Sequence, residues 1–233
     1  MKEYLEAHKE EFKPWLENNE QGRVEIKILP YLQDIKGGFF VEAGALDGLF
    51  MSNTKILEDL GWQGLLIEPS PKAVIECKKN RKSLTESCAL VSKDYKEATI
   101  KGDFVFDGDS GLGAYSSVNR NAYLCWAGGI MRGFDVEVRA ETLDNLFKKH
   151  NIKKVDFLSL DIEGYELEAL KGIDFNNVDI IYILVEVNIK SYDLKDIENV
   201  LVDYKKLGCL SNFSKETNKD WDGSHQDYLF QKI

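Results

Sequence analysis

FFVEAGALDGLFMSNTKILEDLGWQGLLIEPSP, residues 39–71, reads as strand, glycine turn, helix and strand, and both strands close on a carboxylate, Glu42 and Glu68. Glu68 follows Gly48 by 20 residues. This is the layout of a nucleoside-binding βαβ unit, in which an acid ending the second strand accepts the ribose hydroxyls. The turn decides which nucleoside. A dinucleotide site carries G-x-G-x-x-G so that backbone can press against a pyrophosphate. Here only Gly44 and Gly48 remain, with Leu46 between them, and Glu42 stands where a diphosphate would bring like charge. An anion beside Glu42 is repelled and a cationic ligand is attracted. S-adenosylmethionine carries a sulfonium, an ammonium and a ribose but no phosphate, so the turn predicts a methyl donor.

Outward from this unit, apolar runs and Gly/Pro punctuation keep alternating. Residues 51–60 predict a helix stopped by Gly61, and Ser70-Pro71 is an N-cap followed by proline at the first helical position. That helix runs to about Asn80, and a strand is expected over Ser87–Ser92. Extra strands fit Thr99–Phe106 and Phe134–Ala140. Then follow a helix over Thr142–His150, the strand VDFLSLD ending at Asp161, a helix over Glu163–Lys171 and the strand DIIYILVEV ending near Glu186. A helix from Asp193 to Leu207 stopped by Gly208, a short strand Cys209–Phe213 and a strand Gln226–Ile233 complete the pattern. The expected fold is α/β, a doubly wound, mainly parallel sheet with an antiparallel last strand. Residues 1–36, broken by Pro14 and Pro30, read as an N-terminal helical cap on a domain spanning 37–233, which carries a substrate-side insertion at about 93–140. Within that insertion, Tyr115, Tyr123 and Trp126 lie in a Gly/Ser-rich run at 107–133. They suit stacking on a polar ring or anchoring of the loop, with equal weight.

Composition narrows the function classes. A chain of 233 residues suits one α/β domain, and 43% hydrophobic with 30% charged residues is ordinary for a globular protein. Net charge is −10 without a concentrated basic block, which disfavours nucleic acid as partner. Lys78, Lys79, Arg81 and Lys82 read as a solvated helix end. The four cysteines, Cys77, Cys88, Cys125 and Cys209, show neither C-x-x-C spacing nor a Cys/His cluster, so zinc is not expected and buried thiols in a reducing compartment are. The charged N-terminus is not a signal peptide and no apolar run reaches a bilayer span, so the expected location is cytoplasmic, or within a larger intracellular protein.

In an open parallel sheet, ligands bind beyond the C-terminal strand ends. Glu42, Glu68, Asp161 and Glu186 all fall there. Glu42 is expected near the donor ammonium. Gly44, Ala45, Asp47 and Gly48 form the turn; Ser52, Asn53 and Thr54 open the next helix, where they hold the donor carboxylate or serve as an ordinary N-cap. Glu68, followed by Pro69 and Ser70, takes the ribose, and Ala89 and Ser92, with Cys88, flank the adenine.

VEAGALDG, SNT and IEPSP, together with FLSLDIEGYELEAL at 157–170, resemble the FkbM-type S-adenosylmethionine-dependent methyltransferases over roughly residues 38–232. The resemblance implies a class I methyltransferase fold and methyl transfer to an oxygen, often a hydroxyl of a sugar or glycan. Another small-molecule or lipid-linked alcohol, or a non-catalytic protein keeping the fold, are the alternatives. Members often carry Asp where Glu42 stands, and the segment 107–133 has no counterpart.

Methyl transfer to a hydroxyl is an in-line displacement that needs positioning and a proton acceptor. Asp161 is the expected acceptor, with His225 as the alternative base. Glu163 holds substrate hydroxyls or caps its helix. Asp161, Glu186 and Asn188 form an all-oxygen set suited to Mg²⁺; alternatively Glu186 and Asn188 bind substrate directly or cap a loop.

Overall fold

The computed structural model describes residues 1–17, 22–102, 136–211 and 225–233. The aromatic run at 107–133, with Tyr115, Tyr123 and Trp126, lies outside them, as does Cys125.

The opening motif folds as strand, turn, helix and strand, with a shorter helix than expected. β1 (Phe39–Ala43) and β2 (Gln63–Glu68) are parallel, with α5 (Lys55–Asp59) between them. α6 (Pro71–Asn80) leads to β3 (Leu84–Ser87), and then come β4 (Ala89–Leu90), β5 (Thr99–Gly102) and β6 (Val136–Glu141). The α/β rhythm resumes with α7 (Leu143–Lys149), β7 (Lys154–Leu160), α8 (Glu166–Lys171), β8 (Asp179–Asn188) and α9 (Leu194–Val200), and ends in β9 (Tyr204–Cys209) and β10 (His225–Lys232). The main sheet runs β3-β2-β1-β7-β8-β10-β9, and β10 is antiparallel to both neighbours. This is the class I methyltransferase arrangement, with its antiparallel last strand. β4, β6 and β5 pair apart from it.

Strands buried on both faces read as continuous apolar runs because each face meets its own helical layer. On one side Val41, Leu65, Leu158 and Ile183 pack against Leu146 and Phe147 of α7, Leu170 of α8 and Ile197 of α9. On the other, Phe40, Leu66, Phe157 and Leu184 pack against Leu57 of α5 and a group from the chain start. That group is Phe12 of α2 (Lys9–Leu16), Ile26 of α3 (Val24–Lys27) and Leu29 and Leu32 of α4 (Leu29–Leu32), preceded by α1 (Lys2–Ala7). No described helix is long and apolar enough to cross a membrane. Cys77 and Cys88 are buried free thiols, pushed up to about 11 and about 12 by desolvation.

Four expected elements differ. The helix over 51–60 shortens to Lys55–Asp59, because residues 52–54 turn inward toward Glu42. The strand over Ser87–Ser92 splits, with β3 in the main sheet and β4 paired to β6. The helix expected from Glu163 starts at Glu166: Glu163 and Gly164 have φ of +57° and +90°, outside helical space. The helix expected to reach Leu207 stops at Val200, since pairing of Tyr204–Cys209 with β10 overrides helix propensity there.

Candidate active site

Beyond β1 the chain makes the glycine turn. The N–H groups of Gly44 and Ala45 both donate to the Ile67 carbonyl, at 3.0 and 3.2 Å. Gly44 has φ +85°, and a Cβ there would lie 1.8 Å from the Asp161 carbonyl oxygen. Only glycine fits, in conformation and in space. The turn is therefore seated directly on the backbone that follows β7. Further along, Asp47 accepts from the N–H groups of Leu49 and Phe50 at 2.9 and 2.8 Å.

Glu68 ends β2 buried beneath this turn. Its two oxygens accept from Leu46 N–H at 2.9 Å and Ser70 N–H at 2.7 Å. Desolvation outweighs both bonds and pushes the carboxyl up to about 7. Each oxygen keeps acceptor capacity for a second donor. The buried Ser70 hydroxyl has no hydrogen-bond partner among the described residues. Pro69 lies between them, half-buried. Ser87 is opposite Glu68 in register, so Cys88 and Ala89 follow at the level of the strand ends, with buried Ser92 close behind.

Glu42 is 3% exposed and occupied from within the chain. The Ser52 hydroxyl donates to both its oxygens, Asn53 N–H to one at 2.7 Å and the Thr54 hydroxyl to the other at 2.7 Å. The three residues expected to open a helix toward the donor thus close onto β1. The Asn53 amide continues to Ser159 Oγ at 3.1 Å.

Arg81 overturns the solvated helix end. Its side chain is fully buried at the C-terminal end of α6 and holds the turn together. Nη1 donates to the Gly48 carbonyl at 2.9 Å and Ser52 Oγ at 3.0 Å, and lies 3.5 Å from Glu42. Nη2 donates to Thr54 Oγ1 at 3.0 Å and Nε to Glu58 at 2.9 Å. The guanidinium also stands over the Phe40 ring, 5.6 Å from its centroid. A buried charge persists only with such partners. Burial would raise the Glu58 carboxyl, but the Lys82 N–H, the Ser83 hydroxyl and Arg81 together hold it below its ordinary value. Glu58 is an addition to the residues read from sequence, where Arg81 figures only as part of a wet helix end.

The second half of the site is acidic. Asp161 follows β7, and its N–H donates to the Ala43 carbonyl at 3.2 Å. Asp161, Glu163 and Glu186 each bring a carboxylate oxygen within 4.8 Å of the others. Burial raises all three well above the usual carboxylate range; Asp227 adds most to the charge repulsion on Asp161, and Asp161 most to that on Glu163 and Glu186. Asp227 lies opposite Glu186 in the β8–β10 register and is itself pushed up to about 7 by burial. Glu166, fully buried, accepts from Ile162 N–H at 2.8 Å and Gly164 N–H at 3.0 Å and bonds the Tyr192 hydroxyl. That hydroxyl lies 2.7 Å from the Glu186 carbonyl. Glu166, Tyr192 and Asp227 are additions to the residues read from sequence. In sequence, the one signal for Asp227 is a lone Asp directly before the apolar run Tyr228–Phe230.

Asn188 is buried and its Oδ1 accepts from Lys190 N–H at 3.1 Å, while Glu163 stands with Asp161 and Glu186 in the three-carboxylate group. His225 is half-buried and opposite Asn188 at the start of β10.

The FkbM methyltransferase domain matches residues 42–208. Nothing among curated proteins matches the chain. Among solved structures it is similar to a TehB-like S-adenosylmethionine-dependent methyltransferase from Corynebacterium glutamicum, at 10% identity over all of both chains with a TM-score of 0.46. It is similar to Methanococcus jannaschii fibrillarin at 12% identity, covering 85% of this chain and 70% of that one, with a TM-score of 0.44. A Burkholderia thailandensis 1,6-didemethyltoxoflavin-N1-methyltransferase matches at 9% identity over 100% of this chain and 86% of that one, TM-score 0.42. At such identities and scores nothing about substrate or mechanism passes from them to this chain. The family match is different in kind: it spans well over half of the sequence, from the acid of β1 to the glycine of β9, and on it the protein belongs to the FkbM methyltransferase domain family.

Proposed function

We propose that the protein transfers a methyl group from S-adenosylmethionine to a hydroxyl oxygen of a sugar or glycan. The observation that carries this reading is the seam between the two halves of the site. Gly44 of the donor turn lies so close to the Asp161 carbonyl that a single added carbon would collide with it.

In this reading Glu68 accepts the ribose hydroxyls with its spare acceptor capacity, beside Pro69 and Ser70, and Ala89 and Ser92 flank the adenine. Gly44, Ala45, Asp47 and Gly48 shape the path of the methionine part. Glu42, satisfied by Ser52, Asn53 and Thr54, acts on the donor through the shape of the turn. The methyl carbon then faces Asp161. A hydroxyl oxygen forms its bond to that carbon as the carbon–sulfur bond breaks, and its proton passes to Asp161. The products are a methyl ether and S-adenosylhomocysteine. A carboxyl whose proton affinity is raised by burial is better matched to this task than an exposed one. Glu163 and His225 stand at the rim as groups for orienting the acceptor. The acidic surroundings favour a neutral polyol over an anionic acceptor.

The test is Asp161→Asn. A labelled-methyl screen against sugar acceptors identifies a substrate, and the variant is then expected to lose roughly 10²–10⁴-fold in turnover. Calorimetry should find its donor affinity nearly unchanged. Full turnover in the variant removes Asp161 as base, and binding of NAD in place of S-adenosylmethionine removes the methyl-transfer reading.

A further inference from the structure

The acids beyond the strand ends are not treated alike by the fold. Glu42 receives hydrogen bonds from Ser52, Asn53 and Thr54. Glu68 receives two backbone N–H groups, and Glu166 receives two and bonds a tyrosine hydroxyl. The buried Oε2 of Glu186 has no hydrogen-bond partner among the described residues. Glu186 is 8% exposed, and its carboxylate belongs to the group whose oxygens lie within 4.8 Å of those of Asp161 and Glu163. An unmatched carboxylate oxygen in a buried, acidic place costs free energy unless positive charge meets it.

We propose that Asp161, Glu163 and Glu186 bind one hard divalent cation of the Mg²⁺, Mn²⁺ or Ca²⁺ class. All three donors are oxygens, with no imidazole or thiolate in the set, which is the choice of a hard ion. Oxygen–oxygen separations up to 4.8 Å are at the span of an ion with ligands at about 2.1–2.5 Å, so the side chains close on it with small rotations. Three protein oxygens leave the remaining positions of such an ion to water or substrate. This deepens the proposed methyl transfer and, for its consequence, rests on it. An ion with two adjacent open positions selects acceptors with neighbouring hydroxyls and makes the bound hydroxyl easier to deprotonate. The cation site itself stands on the carboxylate geometry alone.

The experiment titrates Mn²⁺ into the full chain without donor or acceptor, following free Mn²⁺ by electron paramagnetic resonance. One bound equivalent, displaced by excess Mg²⁺ or Ca²⁺, is expected. Glu186→Gln and, at a less buried position, Glu163→Gln should each weaken Mn²⁺ at least tenfold. Donor affinity, measured by calorimetry on the same samples, should stay within a factor of about three, which also verifies that each variant is folded. Absence of stoichiometric Mn²⁺ binding, or binding unchanged in both variants, overturns the site. An unsubstituted protein that binds the donor but no Mn²⁺ sinks the cation site alone. Mn²⁺ bound by a protein that ignores S-adenosylmethionine keeps the cation site and sinks the transfer chemistry.

Discussion

Arg81→Met is the sharpest perturbation of the donor half. The substitution keeps the length and apolar stem of the side chain and deletes its charge and donors. It strands Glu58 and Glu42, whose carboxylates lie 2.9 and 3.5 Å from the guanidinium with side chains less than 10% exposed. It also removes the donors to the Gly48 carbonyl, Ser52 and Thr54. Breaking a buried ion pair by removing one partner costs about 3–5 kcal/mol. For a domain of this size that lowers Tm by roughly 10 °C. Urea denaturation should show the midpoint falling with the slope m unchanged, since the amount of surface exposed on unfolding is the same. Adding Glu58→Gln to Arg81→Met removes one stranded charge and should restore at least about 1 kcal/mol. Donor affinity should fall at least tenfold in the single variant, because residues 48–54 lose their brace. A stability loss under about 1 kcal/mol, or donor binding as tight as in the parent, would refute the view of Arg81 as the clamp of the turn.

Two further outcomes follow from the same geometry. Glu68 stands near 7 in the folded protein against an ordinary 4.5, so the folded state holds the extra proton between those values. Stability therefore falls as pH rises through that window, and the ionised form costs about 3 kcal/mol above it. Ribose hydroxyls donating to the ionised form reverse this for binding, so donor affinity should weaken by up to roughly tenfold per pH unit below 7, and a flat calorimetric profile from pH 5.5 to 8.5 would remove Glu68 from the ribose site. Gly44→Ala forces a Cβ to 1.8 Å from the Asp161 carbonyl at φ +85°, so it should abolish donor binding and lower Tm, whereas Gly208→Ala, with nothing within 4 Å, should change stability by less than about 1 kcal/mol. Equal effects of the two alanines in thermal unfolding would contradict the packing argument.

Much of the fold could be read from the chain because its signals are local. Apolar runs ended by Gly61 or bracketed by Ser70-Pro71 report their own secondary structure, and an acid at the end of a parallel strand has only one place to be. Glu68 and Asp161 were legible for that reason. Arg81 was not, since its neighbours Lys78, Lys79 and Lys82 make it look like part of a wet surface. Its burial is decided by Glu58, 23 residues earlier in the chain. Asp227 could be placed only by the β8–β10 register, and Glu166 only by the two left-handed residues that bend the chain back over its carboxylate. The same non-local pairing explains why the sequence carried the helix after Asp193 too far, into residues that β10 recruits as a strand.

The position of β10 in the sheet also has a kinetic side. The strand is made after β9 yet lies between β8 and β9, so β9 has no place in the sheet until β10 is in register. Up to that moment β8 presents an open edge, the kind of surface that invites wrong pairing. Asp227 arrives with β10 and comes to lie opposite Glu186. Closing the sheet and bringing Asp227 up to the acidic cluster are thus one folding event, and a chain arrested before it has the glycine turn after β1 but an unfinished cluster beyond β8.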